Sequence, residues 1–367
     1  MRIVYVLTSL GMGGAERLVV SLAGRMAERG HTVQLLVLRP PVAEQWSTAL
    51  PVVHLGMRRT PFSVLAGLLK ASRTLHEFRP DLVHSHGFHS NIVARLLKIL
   101  VPSTVVLSTV HNVYEGGRKR MWAYRLTDGL SRKTTAVSKA AADRFVRLKA
   151  VPVGKCTVLT NGIDTAEFAP DADRRVCARA QMDVTHEFIW FTAGRMAPAK
   201  DFPNLLRAFA QVRAARPGAQ LWIAGEAIDE KLNHVTSSIF GGVKGELDQV
   251  RILGLRRDLP ALLDAADGFV LASAWEGMPL ALGEAMAMEK PVAATDVGGV
   301  RELVGDAGTI VPAKDSNALA DAMLNIMQTS AEGRRTIGRA ARARIQNQFS
   351  MDAKVDEWEA LYNASLA

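Results

Sequence analysis

The sequence predicts an α/β chain that contains two doubly wound parallel sheets. Two series of short β-rich runs alternate with amphipathic helical patterns, and a turn-rich stretch at 161–175 separates the two series. Strands that alternate with helices are typical of parallel strands joined by crossover helices. The length of 367 residues is also sufficient for two domains, because single cores stop growing at about 250–300 residues.

The first series of predicted strands occupies the amino-terminal half of the chain. Its runs are IVYVLTS, TVQLLVL, PVVHLG, DLVHSHG, TVVLSTVHN, KTTAVS and CTVLTNG. Between the first two runs lies the amphipathic stretch AERLVVSLAGRMAERG, whose last residue, Gly30, is typical of the position after a helix. These patterns predict a Rossmann-like domain over residues 1–164.

The second series follows the turn-rich linker. Its runs are EFIWFTAG, AQLWIAG, VRILG, GFVLAS, KPVAATD and GTIVP, each followed by a helical pattern. They predict a second Rossmann-like domain over residues 165–345, and residues 346–367 are expected to form a helix that crosses back to the first domain. Ligands of open α/β sheets bind beyond the carboxyl ends of the strands, so the two domains are expected to face a central cleft.

The composition indicates a cytoplasmic protein. The two cysteines, Cys156 and Cys177, are too few for a disulfide framework and lack the spacing of metal ligands. The amino terminus shows no signal-peptide pattern, and no apolar run reaches the length of a membrane span. We therefore expect a cytoplasmic chain without a membrane-spanning segment.

The charge of the chain is unevenly distributed. Residues 1–164 contain 23 Lys and Arg against 9 Asp and Glu, whereas the remaining residues carry a small negative excess. A basic domain suits an anionic membrane surface, a phosphorylated acceptor or nucleic acid. Nucleic acid is not expected as a partner, because no recognised nucleic-acid-binding motif accompanies the charge. The sequence makes no prediction of oligomeric state.

The glycine-rich turn SLGMGGAERL raises the question of a dinucleotide site. Gly11 and Gly13 fit the G-x-G-x-x-G pattern, but Glu16 stands at the third glycine position. The second strand ends in Arg39 and Pro40 rather than in a carboxylate that would hold a ribose. A nicotinamide cofactor is therefore not expected. Glu16 is either a favourable charge at a helix start or an acceptor contact.

The strongest local signal for a binding site is SAWEGMPLALGEAMA at 273–287. A strand ends just before it, and Pro279 suits the first turn of the following helix. Glu276 is therefore predicted in the strand–helix loop, and Glu284 more than one turn into the helix. First-turn N–H groups can seat a phosphate, and a nearby carboxylate can accept hydrogen bonds from sugar hydroxyls. A capping glutamate and an exposed glutamate would explain the same spacing.

A second signal is FTAGRMAPAKDFPNLLRAF, in which two cations follow a strand. Arg195 comes directly after the strand and a glycine, and Lys200 stands just before the next helix. At the carboxyl end of a strand, these cations would neutralise a diphosphate leaving group. The same residues would also be compatible with a solvated loop.

Taken together, these motifs resemble the retaining glycosyltransferases of family 4, which have the two-domain GT-B fold. The matching blocks are GGAERLVVSLA, NGID, AGR followed by a lysine, LGLRRDLPALLDAAD, EGMPLALGEAMA and KPVAATDVGGVRELV. They occur in the family's order through nearly the whole chain and are densest from 188 to 312. Such a series is far more specific than any one motif.

The resemblance implies a role for each matching residue. Arg195 and Lys200 would bind the diphosphate and stabilise it as it leaves. Glu276 and His111 would contact the transferred sugar, and these four residues form the predicted catalytic set. Glu284 would hold the nucleotide ribose. The donor-binding residues implied in this way are Glu284, Gly277, Met278, Pro279, Leu280 and Gly14.

The acceptor side is predicted from weaker signals. His86 ends a strand and is either an acceptor contact or a structural residue, and the resemblance places Gly13 beside the acceptor. Lys70 and Arg73 share a helix face with His76. A second basic group, Arg118, Lys119, Arg120 and Arg125, lies beside Trp122 and Tyr124, which are predicted as interfacial aromatic residues suited to membrane docking. Either group is a candidate contact for a polyprenyl diphosphate or a lipopolysaccharide core phosphate, or an ordinary solvated helix face.

Two patterns look like metal sites but are not expected to bind a metal. Asp171-Ala172-Asp173 matches a D-x-D motif but lies in the predicted linker, and His84, His86 and His89 have no carboxylate or thiolate nearby. The resemblance implies catalysis by positioning and leaving-group electrostatics, without an obligatory metal and without a cofactor.

The function implied by the resemblance is transfer of a hexose or N-acetylhexosamine from a nucleotide-sugar, UDP-linked by preference, to a lipid-linked oligosaccharide, lipopolysaccharide or capsule precursor. The enzyme is expected in the cytoplasm, peripheral on the inner face of the cell membrane. Two rivals stay open: a sugar-nucleotide epimerase on the same fold, and a non-catalytic subunit of a glycan assembly complex. Ala227, where the family often has a glycine, leaves the nucleotide base open.

Overall fold

The computed structural model describes residues 1–225, 239 and 249–367. Tertiary contacts divide the chain into two compact units. The first contains residues 1–162 and 351–367, and the second contains residues 163–350. As boundaries of functional domains, 1–164 and 165–345 stay predictions.

The first unit contains a parallel sheet of seven strands in the order β3-β2-β1-β4-β5-β6-β7. The strands are β1 (Arg2–Leu7), β2 (Thr32–Val37), β3 (Val52–His54), β4 (Leu82–His86), β5 (Val105–Val110), β6 (Lys133–Ala136) and β7 (Cys156–Val158). Five consecutive residues of β1 and all five residues of β4 are buried. Burial on both faces explains the continuous apolar run of β1, whereas β4 also buries the polar residues His84, Ser85 and His86.

Helices connect these strands, and two of them begin at a residue whose side chain caps the helix. The helices of the first unit are α1 (Gly14–Glu28), α2 (Pro61–Phe78), α3 (Phe88–Leu100), α4 (Arg118–Thr127) and α5 (Lys139–Arg147). The Thr60 and Ser138 side chains accept hydrogen bonds from first-turn N–H groups of α2 and α5. Gly30 follows the end of α1 with φ +84°, as expected for a residue after a helix.

The second unit contains a parallel sheet in the order β10-β9-β8-β11-β12-β13. The strands are β8 (Ile189–Ala193), β9 (Gln220–Ala224), β10 (Val250–Gly254), β11 (Gly268–Leu271), β12 (Val292–Thr295) and β13 (Thr309–Val311). The order reverses between β8 and β11, which is the position where open sheets bind ligands. Trp190 on β8 and Trp222 on β9 are fully buried in the core of this unit.

Helices surround this second sheet and continue to the carboxyl terminus. They are α6 (Ala172–Gln181), α7 (Phe202–Ala215), α8 (Leu259–Ala265), α9 (Leu280–Ala287), α10 (Val300–Val304), α11 (Ser316–Gln328), α12 (Ala331–Gln348) and α13 (Met351–Leu366). α13 belongs to the first unit, where Arg29 on α1 pairs with Asp356 and Glu359 at 2.6 and 2.7 Å. None of the helices in the described residues has the length and apolar character needed to cross a bilayer.

The predicted strands of both series are confirmed, and two local expectations need correction. Pro279 lies just before α9 and not in its first turn. The linker is not a pure turn segment, because α6 begins inside it at Ala172. Asp171 caps this helix by accepting a hydrogen bond from the Arg174 N–H at 2.9 Å, which explains the D-x-D pattern without a metal.

Candidate active site

Lys200 and Glu276 form an ion pair at the carboxyl edge of the second sheet. Lys200 ends a short 3₁₀ turn after β8, and Glu276 lies in the loop after β11, the strand paired with β8. The Lys200 Nζ lies 2.6 Å from the Glu276 Oε1. The Ser273 hydroxyl donates to the same oxygen at 2.7 Å. The structure therefore brings together two residues that the sequence placed 76 positions apart.

Backbone contacts hold both loops in place. The Ala274 N–H donates to the Ala199 carbonyl at 2.7 Å, and the Gly299 N–H donates to the Gly277 carbonyl at 2.7 Å. Gly298 has φ +55°, and a Cβ built there would lie 2.0 Å from the Glu276 carbonyl oxygen. Only glycine permits this approach, because it lacks a Cβ and accepts a left-handed conformation. The Glu276 loop thus rests directly on the loop after β12.

The remaining donor-site candidates of the second unit surround the same strand ends. Glu284 is buried within α9, and Met278 is buried in the loop before it. The α9 helix has no side-chain cap at Pro279, so its first N–H groups are available to an acceptor atom. Arg195 is exposed, on the loop that also carries Lys200. A helix amino terminus with two cations on a neighbouring loop is suited to binding a diphosphate.

The glycine-rich loop of the first unit is compact. The Gly13 N–H donates to the Gly11 carbonyl at 2.7 Å, and the Trp46 Nε1 donates to the Gly13 carbonyl at 3.2 Å. A Cβ at Gly13 would lie 2.1 Å from the Glu16 Oε2, and Gly14, at the start of α1, is exposed. The Glu16 carboxylate therefore lies against the loop at the start of α1. A role for Gly13 or Glu16 toward an acceptor stays a prediction.

His86 and His111 lie side by side at the carboxyl ends of β4 and β5. The His86 Nδ1 and the His111 Nε2 share a hydrogen bond of 3.0 Å, and the ring of His84 lies 4.0 Å from that of His86. His84 is bonded to Tyr362 and Thr109, each at 2.7 Å. The three histidines thus form one hydrogen-bonded and stacked cluster around two strand ends, and the described residues contain no grouping of side chains suited to a metal.

This cluster makes the first unit sensitive to acid. Burial lowers the pKa of His111 to about 4 and also lowers those of His84 and His86. Between pH 4 and 6.5 the unfolded chain binds more protons, so the free energy of unfolding falls as the pH drops. We expect His111 to account for about 2 kcal/mol of this fall between about pH 7.5 and 5.

Urea unfolding of the wild type and of His111→Gln at these two pH values tests the expectation. The loss of unfolding free energy on acidification should be smaller in the variant by about 2 kcal/mol. The buried residue Glu115 has a raised pKa, so its protonation increases the unfolding free energy as the pH drops. Both proteins contain Glu115, so its contribution cancels when the two losses are compared. Equal losses in the two proteins would show that the pKa of His111 is not lowered in the folded chain.

Glu115 is a site residue that the sequence analysis missed. Its carboxylate accepts hydrogen bonds from the His111 N–H at 2.9 Å and from the Tyr124 hydroxyl at 2.6 Å. Burial raises its pKa to about 6, against the opposing effect of these hydrogen bonds. Glu115 therefore holds the backbone of His111 in place. Its position four residues after His111 was the available signal.

The basic acceptor candidates lie on exposed helix surfaces. On α2, Lys70 and Arg73 are exposed, and the Lys70 Nζ donates to a carbonyl of β3 at 2.6 Å. Phe62, Leu65 and Leu69 are exposed on the same helix. The helix thus presents both cations and large apolar side chains to solvent, an arrangement typical of surfaces that contact membranes.

The prediction for Tyr124 is wrong. Arg118, Lys119 and Trp122 are exposed on α4, but Tyr124 is fully buried. It donates to Glu115 and accepts from Asn91 at 3.0 Å. Residues two apart on a helix point in different directions, so Trp122 and Tyr124 do not share the exposed face.

Ala227, the residue that the sequence analysis linked to the choice of nucleotide base, lies outside the described residues.

Two units that each contain a parallel sheet covered by helices define the GT-B class of fold. A family model described as Glycosyltransferase Family 4 matches residues 12–167, and one described as Glycosyl transferases group 1 matches residues 187–329. The chain therefore belongs to the glycosyltransferases, with a family 4 domain followed by a group 1 domain.

Relatives in sequence agree with this family, and a solved structure agrees with the fold. The chain is 26% identical to the UDP-Gal:α-D-GlcNAc-diphosphoundecaprenol α-1,3-galactosyltransferase of Escherichia coli, over 81% of this chain and 79% of the relative. It is 27% identical to the glycogen synthase of Mycobacterium tuberculosis, over 92% of this chain and 88% of the relative. The structure of Anabaena HepE in complex with UDP-glucose matches with a TM-score of 0.85 at 21% identity, over 99% of this chain and 100% of that one.

Proposed function

We propose that the chain is a retaining hexosyltransferase that moves a hexose or N-acetylhexosamine from a UDP-linked sugar to a lipid-linked oligosaccharide or lipopolysaccharide precursor. The observation that carries this proposal is the pairing of Lys200 with Glu276 beside the amino terminus of α9. In this proposal the pair supplies a cation for the diphosphate and a carboxylate for the sugar hydroxyls at one edge of the second sheet. Glu284, inside α9, is assigned to the ribose.

The proposed reaction requires positioning and charge stabilisation by these residues. The acceptor hydroxyl oxygen bonds to the anomeric carbon while the bond from that carbon to the diphosphate breaks. The bonding electrons leave with the diphosphate, which also takes up the hydroxyl proton. Attack on the face that the diphosphate leaves retains the anomeric configuration. Lys200, Arg195 and the α9 dipole stabilise the charge that develops on the leaving group, so the proposal includes no metal.

The donor and acceptor classes are supported by the relatives. The Escherichia coli relative is named for UDP-Gal and for an acceptor linked to diphosphoundecaprenol, and the Anabaena structure contains UDP-glucose. The positive excess of residues 1–164 suits an anionic acceptor and an anionic membrane surface. The apolar and basic outer face of α2 suits the same surface. We therefore place the protein in the cytoplasm at the inner face of the membrane.

Thermal unfolding in the presence of UDP, GDP, ADP and NAD tests the donor class. We expect UDP to stabilise the protein, since a ligand at about 100 times its Kd adds about 2.7 kcal/mol. Lys200→Ala should reduce the UDP shift, whereas Arg339→Ala, on the exposed face of α12, should keep it in full. A shift with NAD alone would contradict the proposal.

The anomeric configuration of the product tests the mechanism separately. Transfer from UDP-glucose, UDP-galactose and UDP-N-acetylglucosamine to a synthetic isoprenyl diphosphate sugar should give one α-linked product, seen by NMR coupling constants. A β-linked product would show inversion and would rule out attack on the departing face. Binding of UDP-sugar without transfer to any acceptor would favour the non-catalytic subunit, and interconversion of free UDP-sugars would favour an epimerase.

A further inference from the structure

A groove between α4 and α5 of the first unit has a composition that the donor reaction does not explain. It has a volume of about 450 Å³ and lies beside the Gly116–Gly117 turn. Its charged lining comes from Arg118, Arg125 and Arg144, and its apolar lining includes Met121, Trp122 and Leu148. A groove that combines guanidinium groups with an apolar wall suits a ligand that is itself part anionic and part apolar.

The three arginines of the groove have no carboxylate partner among the residues that the structure describes. Arg125 lies over the Trp122 ring at 5.6 Å, and Arg144 lies over the Tyr114 ring at 5.7 Å. Stacking orders a guanidinium while leaving its N–H donors free at the edge of the plane. Two ordered guanidinium groups on facing helices are therefore available for bidentate bonds to phosphate oxygens.

The start of α4 carries a further unmatched positive charge. Its first turn contains Arg118, Lys119 and Arg120 and no acidic residue. Cations at a helix amino terminus oppose the helix dipole and reduce the stability of the helix. The Arg120 side chain donates to the Glu115 carbonyl at 2.8 Å. Arg118, by contrast, lines the groove. An anion bound there would offset the unfavourable charge.

The apolar side of the groove is unusually exposed. Trp122 is 59% and Leu148 is 43% exposed, and Leu126, on the next turn of α4, is 74% exposed. Covering apolar surface of this kind is favourable by about 25 cal/mol for each Å² removed from water. A free phosphate would leave these side chains uncovered, whereas an acyl or isoprenyl chain would cover them.

We propose that this groove binds the diphosphate of an isoprenoid amphiphile, with Arg118, Arg125 and Arg144 on the phosphates and Trp122 and Leu148 along the chain. The inference rests on the proposed function, because it assigns a binding site to the lipid part of the acceptor. A diphosphate offers more oxygens and more charge to three guanidinium groups than a single phosphodiester does. The groove therefore selects the diphosphate amphiphile over ordinary membrane lipids.

Calorimetric titration of the full chain with farnesyl diphosphate, inorganic diphosphate and farnesol tests the inference. Farnesyl diphosphate should bind at least about tenfold more tightly than either fragment, since both parts of the groove contribute. Arg125→Gln/Arg144→Gln should weaken this binding by about tenfold or more. Trp122→Ala should weaken the binding of farnesyl diphosphate but not the binding of inorganic diphosphate. Arg147→Gln is the matched control, because Arg147 is exposed on α5 and does not line the groove.

Each alternative outcome overturns the inference. Equal affinity for inorganic diphosphate and farnesyl diphosphate would show a plain anion site. Equal losses in Arg147→Gln and the double variant, with parallel losses on phosphatidylglycerol vesicles, would show a diffuse effect of membrane charge. UDP titrated into the same proteins keeps the two proposals separate. If the wild type binds UDP but not farnesyl diphosphate, the groove assignment alone is wrong. If the wild type does not bind UDP, the proposed function is wrong.

Discussion

Replacing Arg195 and Lys200 together with alanine is expected to lower kcat by about 100-fold or more, with a smaller change in the KM for the donor. Both cations stabilise charge that develops as the diphosphate leaves, so their effect is larger on the transition state than on the bound donor. Steady-state kinetics with a saturating acceptor measures the change. Arg339→Ala, which removes one positive charge from an exposed site on α12, should retain turnover within about twofold.

The Lys200 substitution has a second consequence that must be separated from catalysis. Glu276 is buried, and loss of Lys200 leaves its carboxylate without its ion-pair partner at 2.6 Å. An uncompensated buried charge destabilises the fold. In Lys200→Met/Glu276→Gln both charges are absent, so stability should recover while turnover stays low. Turnover within about tenfold of the wild type in Arg195→Ala/Lys200→Ala would contradict the assignment.

Gly298→Ala is expected to destabilise the second unit by about 3 kcal/mol and to abolish UDP binding. The added Cβ would lie 2.0 Å from the Glu276 carbonyl oxygen, at a backbone φ of +55°. That distance is far below a van der Waals contact, and the left-handed conformation adds about 1 kcal/mol or more for alanine. The loop that carries Glu276 must therefore shift. Urea unfolding and UDP titration measure the two effects.

Gly24→Ala is the matched control for this substitution. Gly24 lies inside α1, and a Cβ built there meets no other atom within 4 Å. Alanine is favoured over glycine in a helix by about 1 kcal/mol, so this variant should be slightly more stable and should bind UDP normally. If Gly298→Ala behaved like Gly24→Ala, the close approach of the two loops would not matter for the site.

The strands were predictable because their signal is local. The β1 run IVYVL and the β11 run GFVL are short and apolar, and burial on both faces of a parallel sheet favours this composition. The position of Gly30 after a helix was predictable for the same reason, whereas Asp171 was expected in a linker and instead caps α6. Helix starts were less certain, because α6 begins inside a stretch rich in turn-forming residues.

The site residues were predictable in type but not in arrangement. Lys200 and Glu276 were both identified as candidates, but their direct contact depends on the pairing of β8 with β11, which no local pattern reveals. Glu115 was missed because a glutamate before two glycines looks like a turn residue. Its role depends on the neighbouring strand end that carries His111 and on the buried hydroxyl of Tyr124.

By itself the sequence determined the parallel α/β architecture, the excess of positive charge in the first half and the family motifs, since each is a property of neighbouring residues along the chain. Only the tertiary structure decided which side chains meet. It paired Lys200 with Glu276, brought His84, His86 and His111 together at the ends of β4 and β5, and buried Tyr124 while exposing Trp122. The physical reason is that burial and contact depend on strand order and helix packing, which are set by the whole core.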